Sequence, residues 1–276
     1  MDRYAVFGNP IGHSRSPWIH AQFARQTGQS LVYEAQLVEL NGFEQAVQQF
    51  FDQGGSGLNI TVPFKERAWT MAQRRLGSAQ GTGAVNTLFR DAEGQLCGAN
   101  TDGIGLLRDL TCNHGLDLAG KRILVLGAGG AVKGVMPDLL AQNPGRVCIA
   151  NRTVARAQAI VETYPETAGF SASSYEDIPP EHFDLIINGS SSGLQGAMPA
   201  MPKGLVSADT HCYDMVYGSS ETVFQAWARE QGAKMALDGL GMLVEQAAEA
   251  FFIWRQVRPQ TDSVIADLRS LLGRPA

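Results

Sequence analysis

The sequence predicts an α/β fold in two domains, each built on a parallel or mostly parallel sheet, and three observations carry that expectation. Short apolar runs alternate with helical patterns along all 276 residues. Two such alternating sets lie on either side of a hairpin pattern at residues 85–99. The 31 glycines suit many tight strand-to-helix turns, and the length suits two domains of ordinary size.

In the first set, residues 4–8 read as a buried strand, and Pro17 opens a helix with Trp18, Ile19 and Phe23 on one face. Residues 31–38 form the second strand, 43–51 a helix and 58–62 the third strand, before a helix that begins near Pro63. The order βαβαβα calls for parallel pairing. Residues 85–89 and 95–99 flank a turn holding Asp91 and Gly94, the pattern of an antiparallel hairpin. A helix from Asp102 to about Asn113 then leads to the second set, with strand candidates at 122–126, 147–150, 185–187, 212–216 and 234–237. That is the layout of a nucleotide-binding α/β domain. Helices at 241–257 and 262–272 end the chain, and the Ser171–Ser174 and Ser190–Ser192 clusters read as loops.

Composition narrows the function classes. A net charge of -5 with scattered Lys and Arg gives no concentrated basic face for nucleic acid or an anionic membrane. Cys97, Cys112, Cys148 and Cys212 form no CxxC pair, so reduced thiols are expected. His13, His20, His114, His182 and His211 lack metal-ligand spacing; loop or core-edge positions are expected for all five, and no metal. No leader pattern or bilayer-length apolar run is present, which points to the cytoplasm.

Gly127, Ala128, Gly129, Gly130 and Ala131 follow the apolar strand at 122–126 and precede a helix pattern. Small residues there let the backbone approach a pyrophosphate, and the helix N-terminus offers free N–H groups. A plain tight turn is the alternative, and Val132 stands where the general GxGxxG pattern has its third glycine. About 20 residues on, where an NAD enzyme places a carboxylate for the ribose 2′-hydroxyl, the chain has Asn151, Arg152 and Thr153, with Arg156 one helical turn further. A guanidinium there binds a 2′-phosphate that a carboxylate would repel, so the reading is NADP and a Rossmann-like domain. The competing reading makes Asn151 and Thr153 helix caps and Arg152 a solvated surface residue.

Polar motifs gather at the expected C-terminal ends of the first strands: Ser14 and Ser16, Asn59 and Thr61 with Lys65, Asn86 and Thr87, and Asn100 with Asp102. Hydroxyls and amides in this number suit a ligand covered in hydroxyl groups, since each can donate and accept. Taken singly, Ser16 and Asp102 could be helix caps, and Asn59 and Thr61 could stitch a strand end. Lys65 and Asp102 are the pair suited to moving a proton as hydride reaches a carbonyl carbon; a surface ion pair is the alternative.

These motifs resemble the shikimate dehydrogenase family over essentially the whole chain: Gly8-Asn-Pro-Ile-Gly-His-Ser-Arg-Ser-Pro17, Asn59-Ile-Thr-Val-Pro-Phe-Lys65, Gly83-Ala-Val-Asn-Thr87, Asn100-Thr-Asp-Gly103, Gly127-Ala-Gly-Gly-Ala131, Asn151-Arg-Thr153 and Gly239-Leu-Gly-Met-Leu-Val-Glu-Gln246. The resemblance implies NADP-dependent reduction of 3-dehydroshikimate to shikimate in aromatic amino-acid biosynthesis, with Lys65 and Asp102 as the catalytic pair. It implies Ser14, Ser16, Asn59, Thr61, Asn86, Tyr217 and Gln246 around the substrate. Around NADP it implies 127–131, Asn151, Arg152, Thr153, Arg156, Ser190, Met215 and Gly239. It further implies a substrate domain at 1–101, an NADP domain at 102–241, and helices in 242–276 that return to the first domain and close a cleft. Assembly is expected to be a monomer or homodimer.

Three departures from the family pattern stand out. Residues 73–82 are basic and Gly-rich where relatives carry acidic residues, Gly189 replaces the usual Ala, and no proline precedes Thr222, which should loosen that loop. Two further readings compete: a quinate/shikimate dehydrogenase of broader scope, which Ser16 and Arg152 speak against, and a non-catalytic ligand sensor, which an intact Lys65 and Asp102 speak against.

Overall fold

The computed structural model describes residues 1–190 and 198–273; Ser191 and Ser192, read above as loop, lie outside them. The first sheet contains β1 (Asp2–Gly8), β2 (Leu31–Leu37), β3 (Gly55–Ile60), β4 (Arg74–Arg75), β5 (Thr87–Arg90) and β6 (Leu96–Ala99), in the order β2-β1-β3-β5-β6-β4. β1 runs parallel to β2 and β3, while β5 is antiparallel to both β3 and β6. The hairpin turn is held by Asp91, whose Oδ1 accepts from the N–H groups of Glu93 and Gln95, and Gly94 supplies the left-handed φ of 79°.

Helices α1 (Ser16–Thr27), α2 (Phe43–Asp52), α3 (Lys65–Met71) and α4 (Ala79–Thr82) accompany this sheet. Phe43, Phe50, Phe51 and Phe64 pack with Phe7, Leu58 and Ile60 in its main core. β3 begins at Gly55, earlier than its apolar residues suggest, because two glycines make room there. The Phe50 ring lies against Gly55, and a Cβ at Gly57 would sit 2.6 Å from Trp254 Nε1.

The second sheet contains β7 (Arg122–Leu126), β8 (Arg146–Ala150), β9 (Phe170–Ser173), β10 (Leu185–Asn188), β11 (His211–Asp214) and β12 (Met235–Leu237), all parallel, in the order β12-β11-β10-β7-β8-β9. Its central strands are buried on both faces, which is why they read as continuous apolar runs. The strand order reverses at β7, and the crevice beyond its carboxyl end is where such sheets bind ligands. The helices are α5 (Asp102–Arg108), α6 (Gly130–Leu140), α7 (Val154–Val161), α8 (Val223–Glu230), α9 (Leu240–Arg255) and α10 (Asp262–Leu271).

α9 packs back on α1, burying Ile19, Phe23, Val244, Ala248 and Phe251 together, with Leu268 of α10 in the same cluster. Arg255 at its end donates to Gln29 Oε1 at 2.7 Å. The helix expected at 102–113 divides instead: α5 stops at Arg108 and Asp109–Asn113 is a π-helical turn. Asp109 is buried and accepts the Tyr213 hydroxyl at 2.6 Å and the Asn113 amide at 2.9 Å. It lies where a Cβ on Gly241 would be, so the widened turn seats a carboxylate between β11 and α9. β4 and β9 are strands that the apolar pattern did not reveal, and β9 takes in Ser171, Ala172 and Ser173, read above as loop.

Candidate active site

A cleft of about 440 Å³ opens between the carboxyl ends of the two sheets. All nine residues expected at the catalytic pair and substrate line it: Ser14, Ser16, Asn59, Thr61, Lys65, Asn86, Asp102, Tyr217 and Gln246. They arrive from elements far apart in sequence, so the fold, not local spacing, brings them together.

Lys65 is the first residue of α3 and Asp102 the first of α5. Their side chains meet at 2.5 Å from Nζ to Oδ2 and are 17% and 9% exposed, so this is a sheltered pair and not a surface ion pair. The other carboxylate oxygen accepts from Asn86 Nδ2 at 2.8 Å, and the Asp102 backbone N–H donates to Asn100 Oδ1 at 3.0 Å. Asn86 Oδ1 in turn takes the N–H of Thr101 at 2.9 Å and the hydroxyl of Thr87 at 2.8 Å. The carboxylate is thereby fixed with one oxygen committed to Lys65.

Neither cap reading holds for these groups. Ser16 lies within α1 after Arg15, whose side chain makes no cap, and its backbone N–H faces Ser14 Oγ at 3.4 Å. Asp102 makes no side-chain cap to α5. Asn59 is buried in the cleft wall, Thr61 stands beside Gly8, and the lack of a side chain there leaves room for the Thr61 methyl. Tyr217 is half-buried against the α1/α9 cluster, and burial raises its phenol above the usual range. Gln246 comes from α9, where its Oε1 faces the Thr101 hydroxyl at 3.4 Å.

Two glycines on α5 explain this crowding. A Cβ at Gly105 would sit 2.7 Å from Gln246 Cβ, and one at Gly103 would strike Asp138 of α6. Gly134 of α6 lies as close on the other side: a Cβ there would be 2.9 Å from Asn100 Nδ2 and 3.3 Å from Asp102 Oδ2.

The glycine turn after β7 leaves its ligand side clear. Gly127 has φ 103° and donates to the Ala150 carbonyl at 2.8 Å, and a Cβ there would lie 3.0 Å from the Ser190 backbone nitrogen. At Gly129 and Gly130 a Cβ would meet nothing within 4 Å, so the start of α6 is open to a ligand. Ala131, Met215 and Gly239 line the cleft, whereas Gly127, Ala128, Gly129, Gly130, Asn151, Arg152, Thr153, Arg156 and Ser190 lie outside its lining. Gly239 lets the Met215 carbonyl approach to where its own Cβ would be. Arg152 and Arg156 are exposed, and neither is in an ion pair among the described residues; Thr153 caps α7 without a side-chain bond. The Asn151 amide donates to the Thr153 carbonyl at 2.9 Å and shapes the turn between β8 and α7.

The histidine expectation needs correcting. His20 is a core residue, 1% exposed and stacked within an aromatic cluster, whereas His13 sits in an exposed turn as expected and also lines the cleft. Apolar neighbours at 19 and 23 carried the signal for His20, since position 20 adjoins the same buried helix face.

Comparisons with known proteins bear on the family of the chain. The shikimate dehydrogenase substrate binding domain matches residues 6–88, the shikimate / quinate 5-dehydrogenase family 110–195, and the shikimate 5′-dehydrogenase C-terminal domain 239–269. This chain belongs to the shikimate dehydrogenase family. A shikimate dehydrogenase (NADP(+)) from Alkalilimnicola ehrlichii is 59% identical over 97% of this chain and 98% of its own length. Among solved structures, an Ael1 enzyme from Pseudomonas putida is 44% identical with a TM-score of 0.91, covering 97% of this chain and 98% of the other. Shikimate 5-dehydrogenase from Thermus thermophilus, in complex with NADP(H) and shikimate, is 34% identical with a TM-score of 0.86 over 99% and 100% of the two chains.

Two departures from the pattern of shikimate dehydrogenases find local explanations. Within 73–82, the Arg75 guanidinium stacks over the Trp69 ring at 3.9 Å, and Arg74 pairs with Asp91 at 3.8 Å, so the basic residues serve packing. The end of the Tyr217 loop is anchored despite the missing proline. Thr222 and Gln225 form a reciprocal capping box, and the Thr222 hydroxyl donates to Asp214 Oδ2 at 2.6 Å.

Proposed function

We propose that this chain catalyses the NADP-dependent, reversible reduction of 3-dehydroshikimate to shikimate in the cytoplasm, with Lys65 and Asp102 handling the proton. The observation that carries the reading is the sheltered Lys65–Asp102 pair, set in a cleft that Ala131, Met215 and Gly239 also line. Residues 1–101 would form the substrate domain with 242–276 packed on it, and 102–241 the NADP domain.

Bound NADPH supplies a hydride to the ring carbonyl carbon. As that carbon becomes tetrahedral, the keto oxygen gains charge, and the Lys65 ammonium donates its proton there. Asp102 orients the ammonium, because the Asn86 amide and the Asn100-anchored backbone hold its carboxylate in place. Ser14 and Ser16 offer hydroxyl donors to a ligand carboxylate, and Asn59, Thr61 and Asn86 meet ring hydroxyls. For the cofactor, the open N-terminus of α6 suits a pyrophosphate, and the exposed guanidinium groups of Arg152 and Arg156 suit a 2′-phosphate. That donor set fits NADP better than NAD, since no carboxylate follows β8 directly.

Initial rates with shikimate or quinate, each with NADP or NAD, test the assignment through the near-ultraviolet absorbance of reduced nicotinamide. Shikimate with NADP is expected to be the fastest combination. A preference for quinate with NAD would overturn it.

A further inference from the structure

Among the described residues, the formally charged side chains that line the cleft are Arg15, Lys65 and Asp102. Lys65 and Asp102 offset each other at 2.5 Å. Arg15 has no such partner: its guanidinium makes no hydrogen bond and no ion pair among the described residues. The cleft thus presents one uncompensated positive charge, in a chain whose net charge is -5. Such a chain repels an anion overall, and a local cation at the entrance of a cleft reverses that field where it matters.

Stability does not account for this charge. Arg15 stands at the N-cap of α1, its side chain makes no cap there, and no acidic residue follows in the first turn. The helix dipole disfavours a cation at that end. Burial raises the Tyr217 phenol above its ordinary range, and the nearby Arg15 guanidinium partly offsets the rise. Both residues line the cleft, Arg15 from the start of α1 and Tyr217 from the loop after β11. Ser14 and Ser16 flank Arg15 in the chain and line the same space.

We propose that Arg15 is a specificity-determining residue: it makes the cleft prefer a ligand that carries a carboxylate over the same ring carrying a neutral carboxamide. The serine hydroxyls do not draw that distinction by geometry, because a hydroxyl donates to an amide carbonyl as it does to a carboxylate oxygen. A fixed positive charge does draw it, since its attraction exists for the anion alone. Arg15 is exposed, so salt screens its pull, and the charge acts on ligand capture and not on hydride transfer. The inference rests on reading the cleft as the shikimate site, and adds which side chain reads the charge of the acid.

The test measures dissociation constants of shikimate and its carboxamide by calorimetry, at low and high salt, for wild type, Arg15→Gln and Arg15→Lys, together with shikimate KM and kcat. Wild type is expected to favour the acid, and the preference to shrink as salt is added. Arg15→Gln should weaken shikimate binding about fivefold or more at low salt, leave the carboxamide within about twofold, and flatten the salt dependence. The loss should fall on KM and not on kcat. Arg15→Lys keeps the charge and should retain most of the preference, and the thermal midpoint of Arg15→Gln should not fall. A loss shared equally by acid and carboxamide would mark a merely structural residue and overturns the inference. So does an acid preference in Arg15→Gln equal to that of wild type at both salt concentrations. Absence of shikimate turnover in wild type would instead overturn the reading of the cleft, and the inference with it.

Discussion

Val132 Cγ2 occupies the space that a Cβ on Gly189 would need, 2.5 Å from its position. The two residues face each other across the start of α6 and the end of β10. A valine in place of the third glycine is tolerated because the residue opposite has lost its side chain.

Gly189→Ala should therefore destabilise this chain. The methyl would also approach Met215 Sδ to 3.0 Å. Overpacking of this kind costs about 1–3 kcal/mol. Urea unfolding of Gly189→Ala, Val132→Ala and the double variant measures the coupling; the double variant should recover most of the loss, and additive losses would show that the two sites do not interact.

Arg152 and Arg156 have no ion-pair partner to lose among the described residues, so replacing them should act on the cofactor and not on stability. Arg152→Ala is expected to raise the KM for NADP about tenfold or more, in line with about 1.5–3 kcal/mol for a hydrogen bond to a charged group. The KM for NAD should be unchanged and the thermal midpoint with it. Equal losses for both cofactors would mean that the arginine does not read the 2′-phosphate.

His20 should make the fold sensitive to acid. Its pKa in the folded chain is about 3, below the ordinary value of 6.5, because burial disfavours the imidazolium. The unfolded chain therefore takes the proton first. Stability from the neutral ring is complete above about pH 6.5 and is lost as pH falls toward 3, by about 1.4 kcal/mol per unit. His20→Phe keeps a stacked ring and removes the titration. Its urea midpoint should fall less steeply than that of wild type between about pH 6 and pH 4, and parallel curves would refute this.

Elements carried by an apolar run or an apolar helix face were legible in the sequence, and short elements without one were not. The bounds of β7 can be read directly because Ile123, Leu124, Val125 and Leu126 are all fully buried. β9, Phe170–Ser173, is a sheet edge with one buried aromatic, Phe170, followed by half-buried small residues, and gives no apolar run. The π-helical turn escaped because its cause, Asp109 beneath Tyr213, lies 104 residues away in sequence. The polar motifs single out residues that the fold gathers in one cleft, since strand ends of one sheet face the same way. Arg15 gave no such signal: it reads as one more exposed cation between two serines, and only the fold sets it unpaired in the lining of the cleft.

The central claim is that Lys65, oriented by Asp102, delivers the proton to the carbonyl oxygen. Single-turnover and steady-state rates of Lys65→Ala, with the shikimate dissociation constant measured by calorimetry, test it most directly. Loss of a general acid predicts a fall in kcat of about 10²–10⁴-fold, with the dissociation constant little changed. Turnover equal to that of wild type would contradict the account.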